Sequence, residues 1–129
     1  MPEPRERRLV PRTLLAESVP AWIRGIPRVR LLDLSLKGAR IAHLDLLRPG
    51  AACELELPVA LRSLVLAAEV VWCRVIGQER GVRRERHLQS HSGLRFHALT
   101  DYQRIVLAGL LRQLPPETAP ALDSERRSA

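Results

Sequence analysis

The chain has 129 residues, 46% hydrophobic and 27% charged, which predicts one globular domain with a core and excludes two domains. The formal net charge is +7, and Lys37 is the only lysine. This excess of arginine favours anionic partners such as nucleotides or nucleic acid, although genomic base composition would also enrich arginine. With two Trp, one Tyr and one Phe, the chain has too few rings to stack along single-stranded nucleic acid, so no DNA or RNA partner is expected.

The two cysteines, Cys53 and Cys73, are too far apart in sequence to form a C-x-x-C motif. The charged, proline-rich start of the chain does not have the pattern of a secretory leader. We therefore expect free thiols and a cytoplasmic location. No apolar run approaches the roughly 18 residues of a membrane span, so no membrane insertion is expected.

Hydrophobic periodicity divides the chain into tails, strands and one helix. Residues 1–6 are predicted to be a disordered arm, residues 7–114 a single domain and residues 115–129 a disordered tail. Alternation with a period of two predicts strands at residues 13–24 (with a break at Pro20), 28–33, 38–43, 51–59, 62–75 and 92–97. The charged segment 77–89 is interpreted as a solvated loop.

After residue 100 the period changes to 3.6, which predicts a helix. Thr100 or Asp101 can cap it, and the paired prolines at 115 and 116 end it. Its apolar face is predicted to consist of Ile105, Val106, Gly109, Leu110 and Leu114. Several antiparallel strands followed by one helix indicate a small β-barrel closed by a C-terminal helix.

Searches for catalytic and metal motifs find nothing, so we expect no enzyme, no cofactor and no metal. Ser35 is the one plausible nucleophile, but the sequence places no His or Lys to activate it. His87 and His91 have the spacing of a metal pair but no third ligand nearby.

The segment Asp33–Gly38 reads D-x-S-x-x-G and lies between two predicted strands. Asp and Ser side chains bond nearby N–H groups in turns, and glycine accepts positive φ or lets a ligand approach the backbone. Two interpretations are open at this point. The segment is an ordinary hairpin turn, or its polar groups face a ligand.

The spacing R-x-x-x-R occurs at Arg8/Arg12, Arg24/Arg28 and Arg80/Arg84, and only the first pair precedes the first strand. D-x-S-x-x-G follows it, then Glu69-Val70-Val71-Trp72 and Gly93-Leu94-Arg95-Phe96. In this order the motifs resemble those of the PilZ domain family over residues 7–114. Lys37 departs from the family, which frequently has a second glycine there.

The resemblance implies a mainly β fold, a six-stranded antiparallel β-barrel with a C-terminal helix, that binds cyclic di-GMP and signals to an unidentified effector protein. The residues implied to bind the ligand are Arg7, Arg8, Arg12, Asp33, Ser35, Gly38 and Trp72. Trp72 either stacks on guanine or packs in the barrel. A nucleotide-free adaptor of the pilus-assembly kind is the alternative, and a small basic nucleic-acid binder is a third class.

Overall fold

The computed structural model describes residues 13–80 and 86–114, with side chains described for residues 19–78 and 86–114. Within them, six strands form one antiparallel sheet in the order β1-β2-β3-β6-β5-β4, followed by a helix. The elements are β1 (Thr13–Pro20), β2 (Arg30–Leu34), β3 (Gly38–Leu44), β4 (Ala52–Glu56), a 3-10 turn (Val59–Leu61), β5 (Val65–Arg80), β6 (Arg86–Phe96) and α1 (Asp101–Gln113). The prediction of six antiparallel strands with a C-terminal helix is confirmed, the sheet being a curled half-barrel.

The two edges of this sheet meet at an isolated bridge. Trp22, just after β1, donates its N–H to the Glu56 carbonyl of β4 at 3.0 Å, and the Glu56 N–H bonds back to Trp22 at 2.8 Å. Unpaired strand edges are hydrogen-bonding surfaces that folded proteins avoid leaving open, and curling the sheet lets its edges satisfy each other. The bridge therefore links the two sides of the half-barrel at one point.

Alternate residues of the strands fill the interior. Leu55 and Leu57 are buried, whereas their neighbours Glu54 and Glu56 are exposed, as the alternation predicted. Side chains from the strands and the helix join one hydrophobic cluster that includes Leu31, Leu34, Ile41, Leu66, Val70, Leu94, Leu107 and Leu110. Burial of these apolar side chains is the main favourable term in folding.

The prediction of a loop at residues 77–89 is wrong for those residues of the segment that the structure describes. β5 continues to Arg80 and β6 begins at Arg86, with Gly77 opposite Gln89 and Arg80 opposite Arg86; residues 81–85 lie outside the described part of the chain. A two-stranded ribbon that extends past the hydrophobic core buries neither of its faces against it. Its sequence therefore lacks the alternation of apolar and polar residues from which strands are predicted.

The helix begins where its sequence predicted. Thr100 accepts a hydrogen bond from the Gln103 N–H at 3.0 Å, and the Gln103 side chain accepts one from the Thr100 N–H at 3.1 Å. This reciprocal pair is a capping box, which satisfies two N–H groups that the first helical turn leaves open.

The predicted apolar face of the helix is wrong in part. Ile105 is 70% exposed, whereas Leu107, absent from the predicted face, is 0% exposed and packs with Leu110 in the core. Apolar residues occupy more than one side of this helix, so its own period does not decide which side docks. The side of the helix that carries Leu107, Leu110 and Leu114 packs against the hydrophobic core of the barrel.

The predicted arm at residues 1–6, the arginine segment 7–12 and the tail from residue 115 onward lie outside the described residues. Cys53 and Cys73 are both free thiols. In the described ranges, no helix has the length and apolar character to cross a membrane.

Leu107→Ala should lower the free energy of unfolding by about 2–5 kcal/mol, because it removes a fully buried leucine and leaves a cavity. Ile105→Ala is the matched control on the same helix and should change stability little, since its side chain is exposed. Urea denaturation of both variants measures the difference. Equal losses would contradict the helix orientation described above.

Candidate functional site

The turn between β2 and β3 is held together by Ser35. Its hydroxyl oxygen accepts hydrogen bonds from the N–H groups of Lys37 at 3.1 Å and Gly38 at 3.2 Å, and the hydroxyl lies 3.3 Å from the Gly38 carbonyl. The Ser35 N–H also bonds to that carbonyl at 2.8 Å. Because Ser35 is buried and engaged within the turn, its evident role is to shape the backbone there.

Gly38 is required by the packing of two strands. A Cβ atom at this position would overlap the Leu94 carbonyl oxygen of the neighbouring β6. The glycine does not have a positive φ, so the close approach and not an unusual turn conformation explains it. Hydrogen bonding within the turn thus accounts for Ser35, and the close packing of β3 against β6 accounts for Gly38.

Asp33, in contrast, does not belong to the turn. It lies on β2 opposite Arg40 of β3 and is only 4% exposed. Its Oδ2 lies 3.2 Å from Arg40 Nε, in the geometry of an ion pair and not of a directed hydrogen bond. The interpretation of Asp33 as a turn carboxylate is therefore corrected, since the side chain is held on the surface of the sheet by a guanidinium.

Arg40 was missed by the sequence reasoning, although a signal was present. Residues two apart on a strand share a face, so Gly38 and Arg40 point the same way out of β3. The interior positions, Ala39 and Ile41, alternate with them and are fully buried. Arg40 thus belongs to the outer face of the barrel.

Across the outer face, the pairing of the strands lines up four residues. Asp33 of β2 lies opposite Arg40 of β3, Arg40 opposite Gly93 of β6, and Gly93 opposite Trp72 of β5. Residues directly opposite each other in an antiparallel pair are the closest side-chain neighbours in a sheet. We call this set (Asp33, Arg40, Gly93 and Trp72) the Asp33 row.

Trp72 is placed on the outer face and not in the core. Its half-buried indole covers Gly93, where a Cβ atom would overlap the ring. The guanidinium carbon of Arg74 lies 5.3 Å from the ring centroid, within the range of a cation–π interaction. The glycine in Gly93-Leu94-Arg95-Phe96 therefore makes room for an aromatic platform.

A second line of opposed residues runs beside the first. Arg30 of β2 lies opposite Ala42 of β3, Ala42 opposite His91 of β6, and His91 opposite Arg74 of β5. We call this set (Arg30, Ala42, His91 and Arg74) the basic row. The sequence reasoning missed it, because only the register between strands distant in sequence brings its members together.

Arg7, Arg8 and Arg12 lie outside the described residues, so their contacts remain predictions. The start of β1 is described, however, with Thr13 opposite Leu34 and residue 14 opposite Asp33. The arginine segment therefore joins the barrel directly beside β2.

Inside the barrel, His43 and Ser92 form a contact that sequence reasoning did not foresee. His43 Nε2 lies 2.7 Å from the Ser92 hydroxyl, and Nδ1 lies 3.1 Å from the Leu44 carbonyl. The carbonyl needs a donor, so the Nδ1–H tautomer follows and Nε2 accepts from Ser92. Burial lowers the pKa of His43, opposed by the Leu44 carbonyl and Asp45.

This histidine–serine pair does not form a catalytic site. The Ser92 side chain, which would have to supply the nucleophile, is 0% exposed and lies inside the barrel, so no substrate carbonyl or phosphate reaches its hydroxyl. In the described ranges, no three His, Cys, Asp or Glu side chains cluster so as to hold a metal ion. Arg40 and Trp72, which are half-buried, lie on the outer face.

Ser35→Ala should lower the free energy of unfolding by about 1–3 kcal/mol, because it leaves the buried Gly38 N–H and the partly buried Lys37 N–H without their acceptor. Ser90→Ala is a matched control. Ser90 is also buried, but its hydroxyl has no hydrogen-bond partner among the described residues, so its removal should cost nothing. Thermal and urea unfolding measure both variants; a loss at Ser90 that equals the loss at Ser35 would contradict the role given to the Ser35 hydroxyl.

Comparison with known proteins identifies the family and the fold of the chain. The family model of the PilZ domain matches residues 5–113. A solved structure of the PilZ domain of YcgR from Escherichia coli with c-di-GMP is similar in fold, with a TM-score of 0.59 and 16% sequence identity, over 84% of this chain and 92% of that chain. No curated protein matches the sequence. Because the family match extends over most of its length, the chain belongs to the PilZ domain family.

Proposed function

We propose that this domain is a receptor that binds cyclic di-GMP on the outer face of the barrel and signals to a partner protein. PilZ domains are binding domains and not enzymes. The observation that carries the proposal is the pairing of β1 with β2, in which Thr13 lies opposite Leu34 and residue 14 opposite Asp33. A chain advances at most about 3.6 Å per residue, so Arg8 lies within roughly 18 Å of Thr13 and Arg12 within about 4 Å.

The chemistry of the outer face suits a guanine dinucleotide. Arginine forks bind phosphate oxygens and the O6 and N7 atoms of guanine. A carboxylate such as that of Asp33 accepts hydrogen bonds from guanine N1–H and N2–H. The indole of Trp72 can stack on guanine when Arg74, which lies over the ring, moves aside. Arg40 fixes the Asp33 carboxylate in position, so the acceptor is already oriented before a ligand arrives.

In this proposal the remaining motif residues act through the turn. Ser35 bonds within the turn, and Gly38 allows β3 to approach β6 closely. Together they fix the position of the backbone that follows Asp33, next to the Asp33 row. Their contribution to binding is therefore the shape of the turn, while Arg7, Arg8, Arg12, Asp33 and Trp72 supply the groups that touch the ligand.

We further propose that the ligand orders the arginine segment and that this change is the signal. The segment is rich in proline and charge and offers little apolar area to bury against the barrel. A ligand that bridges the segment and the Asp33 row makes contacts that exist only in the ordered state, and such differential affinity is what shifts a conformational equilibrium. The segment lying across the barrel would then present a new surface to the effector, with α1 as the alternative docking face.

Arg8→Ala and Arg12→Ala should each weaken cyclic di-GMP binding at least tenfold, since loss of a charge-assisted contact costs about 1.5–3 kcal/mol. Arg24→Ala is the matched control, because Arg24 and Arg28 have the same spacing but follow the far end of β1. Isothermal titration calorimetry measures all three variants. An equal loss of affinity at Arg24 would show that arginines ahead of β1 have no special role in binding. If the wild-type protein does not bind cyclic di-GMP, the nucleotide-free adaptor is left as the function.

Hydrogen exchange of residues 5–14 should slow when cyclic di-GMP binds, because ligand contacts restrict opening of the segment. Mass spectrometry of the protein with and without ligand measures this, and the β4 peptide 52–56 serves as the internal control that should not change. Equal exchange in both states, with binding confirmed by calorimetry, would show that the segment is preformed and that the switch lies elsewhere.

A further inference from the structure

The side of α1 that faces away from the barrel carries two large and exposed apolar residues. Tyr102 and Ile105 are each 70% exposed. Gly109 and Arg112 follow them on the same side, because residues spaced by three, four and three positions form one stripe along a helix. Two positions along a helix turn through about 200°, so Ile105 and Gly109 point away from Leu107, which packs into the core. We call Tyr102, Ile105, Gly109 and Arg112 the outer stripe.

Nothing in the described part of the chain requires a glycine at position 109. A Cβ atom there would meet only the end of the Arg112 side chain, at the ordinary contact distance of 3.8 Å. Gly109 does not have a positive φ either. Glycine in the interior of a helix is destabilising relative to alanine, because its backbone loses more freedom on folding. A second helix that approaches closely at this position would account for the glycine, since it would use the space that a side chain fills.

The outer stripe is complementary to itself when two copies of α1 run antiparallel. Tyr102 and Arg112 are each five positions from Leu107, and Ile105 and Gly109 are each two positions from it. A two-fold axis beside Leu107 therefore places Ile105 of one copy over Gly109 of the other. The same axis places the ring of Tyr102 against the guanidinium of Arg112, which is a cation–π arrangement.

The charges at the two ends of α1 favour the antiparallel arrangement. Asp101 lies in the first turn and Arg112 in the last turn, and both side chains are exposed. Parallel copies would place each charge beside its own equivalent, whereas antiparallel copies place Asp101 of each beside Arg112 of the other. Asp101 also pairs with Arg104 of its own helix, but its side chain is 90% exposed and has room for a second cation. The charge pattern therefore matches a second copy of this chain.

We propose that the domain forms a two-fold symmetric dimer in which the outer stripes of two α1 helices pack antiparallel. The inference does not rest on the proposed ligand, because the outer stripe belongs to the helix and the Asp33 row to the sheet. α1 has 13 residues, which is about 20 Å of helix. One pair of such helices buries less than the roughly 1,200 Å² of a stable complex, so the dimer forms at micromolar or higher protein concentrations. With α1 covered, the arginine segment is the face left for the effector of the proposed function.

Sedimentation equilibrium of the full chain without ligand tests the dimer. Between about 1 µM and 1 mM protein, the average mass should rise toward twice that of one chain. Asp101→Arg and Arg112→Asp should each weaken self-association at least about tenfold, because each places like charges opposite each other. An equimolar mixture of these two variants should associate as the wild type does, since the opposed charges are again unlike in the mixed dimer. Arg48→Asp, exposed between β3 and β4, makes the same charge change away from α1 and should leave association unchanged.

Gly109→Gln separates the effect of packing within one copy from that of packing between copies. Glutamine is a better helix former than glycine and meets open space in the single chain, so the melting temperature of dilute protein should rise. Its side chain fills the space that Ile105 of the second copy needs, so self-association should weaken at least about tenfold. A higher melting temperature with unchanged self-association would overturn the proposed pairing. Wild-type protein that stays monomeric over the whole range, charge variants that do not associate when mixed, or an equal loss in Arg48→Asp would also overturn it.

Discussion

The close packing of β3, β6 and β5 at two glycines controls the geometry of the outer face. Gly38 lets the backbone of β3 pass beside the Leu94 carbonyl, and Gly93 leaves the surface of β6 free for the Trp72 indole. A side chain at either position would push the neighbouring group away. Because both rows cross these three strands, their spacing depends on glycines that themselves touch no ligand in the proposed site.

The same strands serve the core and the site on opposite faces. Ala39 and Ile41 point into the hydrophobic cluster, while Arg40, between them, pairs with Asp33 outside. A slip of one residue in register would exchange these faces and expose the core. The stability of the core therefore also holds the outer rows in register, and no separate interaction is needed to align residues from four strands.

Within D-x-S-x-x-G the structure separates two kinds of role. Ser35 and Gly38 are explained by bonds and close contacts inside the protein, whereas Asp33 lies on the outer face with an arginine as its neighbour. A polar motif residue can thus be buried and still belong to a site, by fixing the backbone from which its neighbours project. The interior His43–Ser92 pair shows the converse, since two groups suited to catalysis are buried and hydrogen-bond within the protein.

The fold class, the strand–turn–strand around Ser35 and the capped start of α1 could be predicted from the sequence, because alternation, turn residues and caps act between residues close along the chain. The order of the family motifs could be read in the same way, whereas the contacts of Arg7, Arg8 and Arg12 remain predictions. The docking of Leu107 instead of Ile105 and the extension of β5 and β6 as a ribbon depend on tertiary packing. The same holds for the placing of Arg40, His91 and Arg74 near Trp72. Periodicity shows which residues of one strand share a face, but the residues opposite them are set by long-range register, and that depends on how the whole barrel packs.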